Sequence, residues 1–155
     1  MKVLFVCLGN ICRSPTAEAI FRKKFSELKI KAHFDSAATS NFHIGDQSDP
    51  RSISHAERRG YEMTHLGRQV CADDFNEFDF IFAMDESNLK NLLSISPKEH
   101  AHKISLLTKY AKNKSYKYVP DPYYGKAEDF ELVIDIIEDC VDNFVQNHRL
   151  KFKAQ

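Results

Sequence analysis

Two hydrophobic periodicities alternate along this chain from its first residues onward. Lys2 to Val6 is a nearly continuous apolar run, the pattern of a strand covered on both faces. Directly after it, Ala17, Ile20, Phe21, Phe25 and Leu28 recur at helical spacing, and the helix is expected to end near Lys29. Pro15 suits an early helical position, where its missing N–H costs nothing. Phe34 to Ala38 reads as a second strand, and Ser48 or Asp49 caps a helix over Pro50 to Arg59 that Gly60 stops. Phe78 to Met84 reads as a third strand, followed by a helix capped by Asp85 or Ser87 and running through Leu93. Lys103 to Leu107 is the fourth. The last helix is the clearest: Phe130, Val133, Ile134, Ile137, Val141, Phe144 and Val145 make one apolar stripe, with Glu131, Asp135, Glu138, Asp139 and Asp142 elsewhere.

Strands alternating with helices predict an α/β fold, a three-layer sandwich around a central four-stranded parallel sheet. In such sheets ligands bind beyond the carboxyl ends of the strands, at a switch point. The loop after the first strand lies at such an end, as do Ser36 to Ala38 and the pair Met84 and Asp85.

The length of 155 residues predicts one domain over 1–155, and 43% hydrophobic residues is an ordinary globular composition. Lys+Arg and Asp+Glu both number 22, so no net field recruits nucleic acid or an anionic membrane. The N-terminal apolar run is too short for a signal segment, and no stretch approaches a membrane span. A cytoplasmic protein, monomeric or weakly dimeric, is expected. The four cysteines form neither a CxxC pair nor a zinc-like group, and Cys71 and Cys140 are expected as buried, inert thiols. His100 and His102 have no further ligands nearby and read as a solvated loop; Arg58, Arg59, Arg149, Lys151 and Lys153 read as solvated faces. Neither a metal nor a cofactor is expected.

The chemistry concentrates in the string CLGNICRS over residues 7–14, between the first strand and the first helix. Helix N-termini bind phosphate because their first N–H groups lack partners and the macrodipole is positive there. A cysteine at the base of such a nest is a nucleophile aimed at bound phosphorus. Gly9 lets the backbone fold with several N–H groups inward, and Asn10 tolerates a left-handed conformation while its amide pins the loop. Arg13 can grip two phosphate oxygens bidentately. The Ser14 hydroxyl can bond the Cys7 sulfur, stabilising it as reactant and as leaving group. Cys12 shares the nest and is poised to trap an oxidised Cys7 as a disulfide. A Walker-type loop is excluded, since there is one glycine and no lysine, and the GxGxxG fingerprint is absent.

The string resembles the motif of the low-molecular-weight protein tyrosine phosphatase family, Cys-x5-Arg-Ser near the N-terminus. The resemblance covers nearly the whole chain: CLGNICRSP from Cys7, DSAA from Asp35, Thr64 with His65, Arg68 with Gln69, AMDESN from Ala83 and DPYYG from Asp121. It implies the same α/β sandwich with the phosphatase loop between first strand and first helix, and hydrolysis of phosphotyrosine and small aryl phosphates through a phosphocysteine. Cys7 would attack phosphorus. Arg13 and the loop amides, with Leu8, Gly9, Asn10, Ile11, Cys12 and Ser14, would hold the phosphoryl group. Asp121 would protonate the leaving phenolate and later activate water. Phe42, Tyr123 and Tyr124 would wall the substrate pocket, with apolar contacts from Leu8 and Ile11; the tyrosines are also potential phosphorylation sites. His43, beside Phe42, is less acidic than the residue some relatives carry there. Asp85 would brace the loop helix, and His65 would bond Asn10 and Ser36 behind the loop. Partners would be phosphotyrosine proteins or peptides, with inorganic phosphate as an inhibiting product. An arsenate reductase of the same fold would need two further neighbouring cysteines, which Cys71 and Cys140 do not supply. A catalytically dead phosphotyrosine-binding module would not need Cys7, Arg13 and Asp121 together.

Overall fold

Alternation along β1 (Lys2–Cys7) sends Val3 and Phe5 to one side and Leu4 and Val6 to the other, and all four are fully buried. Both faces are therefore covered, as the continuous apolar run predicts. In the computed structural model, which describes residues 1–148, β1 pairs in parallel with β2 (His33–Ala38) on one side and β3 (Phe80–Ala83) on the other. β4 (Ile104–Leu106) adds in parallel to β3, giving the order β2-β1-β3-β4. The order reverses between β1 and β3, so the switch point lies at the end of β1.

One layer is built from α1 (Arg13–Glu27) and α5 (Ala127–Asn147), which cover Val3, Phe5 and Phe82. Its centre is aromatic: Phe5 and Phe21 lie 4.7 Å apart, Phe25 and Phe34 4.9 Å, and Tyr110 and Phe144 5.1 Å, in tilted or edge-to-face pairs. The other layer holds α3 (Ala72–Glu77) and α4 (Glu86–Ile95), whose Phe75 and Leu92 pack on Leu4, Val6 and Ile81. The three-layer expectation holds.

α1 ends as expected, with Leu28 as its last capping residue and Lys29 in the left-handed region at φ 57°. α2 (Pro50–Arg58) is capped by Asp49, whose side chain accepts from the Arg51 N–H at 2.8 Å. Four expectations need correction. β3 begins at Phe80 rather than Phe78, because Phe78 closes α3, a helix of six residues too short to show a period in the sequence. Cys71 is exposed rather than buried, since it caps α3 from outside and its N–H donates to Asp74 Oδ2 at 2.8 Å. His100 and His102, expected in a solvated loop, lie in a 3₁₀ turn over Lys98–Lys103, in which His100 bonds Asn76 Oδ1 at 2.6 Å. Arg59 is not solvated: it pairs with Asp135 at 2.8 Å, with Glu131 at 3.4 Å and with Glu138, to which the Tyr61 hydroxyl also donates. Part of the acidic face of α5 thus turns toward α2. Among the described residues Arg58 bonds Ser54 Oγ on its own helix, while Arg149, Lys151 and Lys153 lie outside them.

Phe21 touches β1, β2 and α5 through aromatic contacts and is fully buried. Phe21→Ala is expected to destabilise the fold by about 3–5 kcal/mol, read as a lower midpoint in urea unfolding followed by circular dichroism.

Candidate active site

Cys7 ends β1 and Arg13 begins α1, so the five residues between must turn within a tight arc. Donors from outside hold that arc by its carbonyls. Thr39 N–H donates to Cys7 O at 2.9 Å, Ser40 donates to Leu8 O from its N–H and its hydroxyl, and Asp49 N–H donates to Ile11 O at 2.8 Å. Asn10 takes the left-handed conformation at φ 60°, and its N–H points at Cys7 Sγ at 3.3 Å. Its side chain ties the loop twice: Nδ2 donates to Ser14 Oγ at 2.8 Å, and Oδ1 accepts from His65 Nε2 at 2.7 Å and Arg68 N–H at 3.1 Å. Ser14 Oγ, accepting from Asn10, lies 3.0 Å from Cys7 Sγ, so its own proton can turn to the sulfur. Gly9 serves differently from expectation. Its φ is not left-handed; a Cβ there would stand 3.1 Å from the His43 ring, so the small residue makes room for that ring.

Arg13 is 3% exposed, a depth at which a guanidinium needs partners. Nη1 donates to Asp85 Oδ2 at 2.6 Å and to Val119 O at 3.1 Å, while Nη2 stands 3.7 Å from Asp121 Oδ2. Burial pulls its pKa down, but the Cys7 sulfur, Asp85 and Asp121 outweigh that and hold it above the ordinary arginine value. Asp85 also caps α4 through Oδ1, which accepts from Asn88 N–H at 2.9 Å. It braces the loop helix through Arg13. Asp121 is 44% exposed across the opening, its Oδ1 accepting from Tyr123 N–H at 3.1 Å.

Cys7 and Arg13 lie deep in a cavity of about 200 Å³ that Leu8, Ile11, Phe42, Asp121, Tyr123 and Tyr124 also line. Phe42 and Tyr124 are 69% and 95% exposed, so they stand at the mouth. Tyr123 packs edge-on to Tyr124 at 4.8 Å, and the Arg51 guanidinium lies 5.4 Å from its ring. His43 is a lining residue as well, its Nδ1 3.1 Å from Asp46 Oδ2. Cys12 is 5% exposed among Ile11 and Phe130, and burial pushes its thiol up to about 12 despite a bond from Ser52.

Behind the loop, the expected His65–Ser36 bond is absent. Ser36 Oγ donates instead to Glu18 Oε1 at 2.7 Å, and His65 Nδ1 stands 3.2 Å from that same oxygen. Glu18, 4% exposed on α1, is thus the group that joins them, and Arg22 pairs with its other oxygen at 2.7 Å. The sequence carries one signal for it, a glutamate four residues after Ser14 and four before Arg22. Glu18, Asp35 and His65 bring possible ligand atoms within 4.8 Å of one another. Ser36 bonds Glu18 Oε1, Arg22 pairs with Glu18 Oε2, Arg68 with Asp35 Oδ2, and Asn10 with His65 Nε2, so two arginines already bring positive charge to these carboxylates.

Residues 2–155 match the model of the family described as low molecular weight phosphotyrosine protein phosphatase. The protein of that name from Gallus gallus is 47% identical over 149 residues, 94% of each chain. Among solved structures, a protein tyrosine phosphatase from Entamoeba histolytica superposes with a TM-score of 0.95 at 41% identity, over 97% of this chain and 98% of that one. The Drosophila arginine phosphatase DARP superposes at 0.90 with 35% identity, over 96% and 98%. A buried arginine and a cysteine sharing one nest, on a fold and sequence matched end to end, make this chain a member of the low molecular weight phosphotyrosine protein phosphatase family.

Proposed function

We propose that this protein hydrolyses phosphotyrosine in peptides and proteins, and small aryl phosphates, through a phosphocysteine intermediate. It is a protein-tyrosine phosphatase, a hydrolase. The observation that carries the mechanism is Asp121 Oδ2 standing 3.7 Å from Arg13 across the cavity that holds Cys7. Phosphoryl transfer needs an in-line nucleophile, positive charge around three equatorial oxygens and a proton for the leaving oxygen. The Cys7 thiolate attacks phosphorus, forming the S–P bond as the P–O bond to the phenol breaks. Asp121, in its acid form, gives its proton to the departing oxygen. Arg13 and the loop N–H groups bear the charge of the transferred group. Water then attacks the phosphocysteine, Asp121 takes up its proton, and the S–P bond breaks to return the thiolate and release inorganic phosphate. The Ser14 hydroxyl steadies the sulfur in both directions.

Substrate class follows from the walls. Leu8, Ile11, Phe42 and Tyr123 offer apolar and aromatic surface suited to a phenyl ring, and the depth of Cys7 disfavours the shorter phosphoserine. Phosphoarginine is the sharpest counter-substrate, since a structural relative is an arginine phosphatase. Hydrolysis of phosphotyrosine peptide and p-nitrophenyl phosphate, with chelator present and little turnover of phosphoserine or phosphoarginine peptides, is expected; preference for phosphoarginine would overturn the assignment. Among the described residues no helix is long and apolar enough to cross a membrane.

Cys7→Ser is expected to lower kcat by on the order of 10⁴-fold or more while still binding substrate, checked by stopped-flow turnover and phosphate-product titration. Asp121→Asn should cost about 10²–10³-fold, most for phenols of high basicity, so its leaving-group dependence steepens across an aryl phosphate series. Asn10→Ala should lose about 1–3 kcal/mol from left-handed strain and broken bonds, whereas Asn10→Gly relieves the strain but leaves activity low; thermal melts and kcat on both variants separate the two effects.

A further inference from the structure

A second concavity, of about 470 Å³, runs along the outer edge of the sheet, away from the loop at the end of β1. Its apolar side comes from Ile104 and Leu106 of β4, the edge strand, and from Leu89 and Leu93 of α4. Leu93 is 44% exposed, a large apolar side chain left open. The opposite rim is the segment after β4, where Lys109, Lys114 and Lys117 stand exposed. No acidic residue lines the groove. Lys114 Nζ donates to Ala111 O at 3.0 Å and Lys109 Nζ lies 5.6 Å from the Tyr110 ring, and among the described residues none of the three lysines pairs with a carboxylate. In a chain whose formal charges sum to zero, this is a local excess.

The rim runs on along the chain to Asp121. Asp121 lies four positions beyond Lys117, a reach of at most about 14 Å between their Cα atoms. Midway, Val119 is fixed by its N–H on Met84 O at 2.8 Å and by its carbonyl on Arg13 at 3.1 Å. A chain with its phosphotyrosine in the pocket therefore reaches the groove within a few extended residues.

We propose that this groove docks an acidic segment with leucine-like anchors, belonging to the protein substrate and lying four or more residues from its phosphotyrosine. The inference rests on the phosphotyrosine phosphatase reading. Leucine side chains fill the Leu89, Leu93, Ile104 and Leu106 surface, and glutamates or aspartates between them meet the lysines. The pairing of an apolar floor with cations favours a peptide over a nucleic acid, whose phosphates would leave the floor uncovered.

Two phosphopeptides with one phosphotyrosine core test this, one of them extended by a Leu/Glu-alternating segment. Linking two binding events should raise kcat/KM for the extended peptide about 10-fold, through KM. Lys109→Glu/Lys114→Glu/Lys117→Glu and, separately, Leu93→Asp should each abolish that gain while leaving the short peptide, p-nitrophenyl phosphate turnover and the melting temperature unchanged. The proposal falls if the extension brings no gain, if the gain survives both variants, or if an oligouridylate of equal charge competes as well as the acidic peptide. Concentration-dependent dimerisation lost in Leu93→Asp would assign the groove to a second copy and overturn it too. Absent turnover of the short peptide would bring down the phosphatase reading itself, whereas normal turnover without a gain removes only the groove.

Discussion

A guanidinium buried to 3% exposure dictates much of this architecture. Removing Arg13 from water is tolerable only with anionic and carbonyl partners in fixed geometry, and those partners come from three places. Asp85 arrives at the end of β3 and start of α4, Val119 and Asp121 from the segment before α5, and Cys7 from the end of β1. The residue that opens α1 therefore ties together elements that share no local sequence. Under the proposed mechanism the bound phosphate dianion needs a cation in place before it arrives, and the clamp on Arg13 would supply that preorganisation.

Opposite this clamp, the loop is shaped by neutral hydrogen bonds. Asn10 is the pivot: its left-handed backbone turns an amide toward sulfur, and its side chain joins Ser14 on one side to His65 and Arg68 on the other. Behind it, Glu18 collects Ser36, His65 and Arg22, so a buried carboxylate is fully engaged. The left-handed Asn10 backbone is held by these bonds and by the outside donors on the Cys7, Leu8 and Ile11 carbonyls.

The outer parts of the protein are held by longer-range electrostatics with more solvent. Arg59 gathers three carboxylates of α5 and so fixes α2 against it, while His55 of α2 bonds Glu131 at 2.6 Å and stacks on Phe130. Phe130 in turn packs on Ile11 and Cys12. The packing that seats α2 thus also backs the wall of the pocket, and the rigid Val119 anchor carries the chain from that pocket toward the sheet edge.

Periodicity alone was enough for the alternation of strands and helices, because burial on two faces of a sheet and one stripe of a helix writes itself into local spacing. The string from Cys7 to Ser14 was equally legible, since its members are neighbours in the chain and their chemistry needs no distant partner to be recognised. Short or exposed elements such as α3 left no period to read, and Cys71 looked buried for want of its helix. Arg59 looked solvated because nothing local points to its carboxylate partners on α5. Glu18 shows the limit most clearly: its spacing from Ser14 and Arg22 hints at a shared helix face, yet its role depends on Ser36 and His65, delivered by β2 and the segment after α2. Hydrophobic pattern and contiguous motif are one-dimensional properties, so the sequence determined the sheet, its flanking helices and the thiol nest. Which polar groups meet across that nest depends on strand order and register, and only the folded chain decided that Asp85 would hold Arg13, that Glu18 would join Ser36 to His65, and that Asp121 would face the sulfur's cavity.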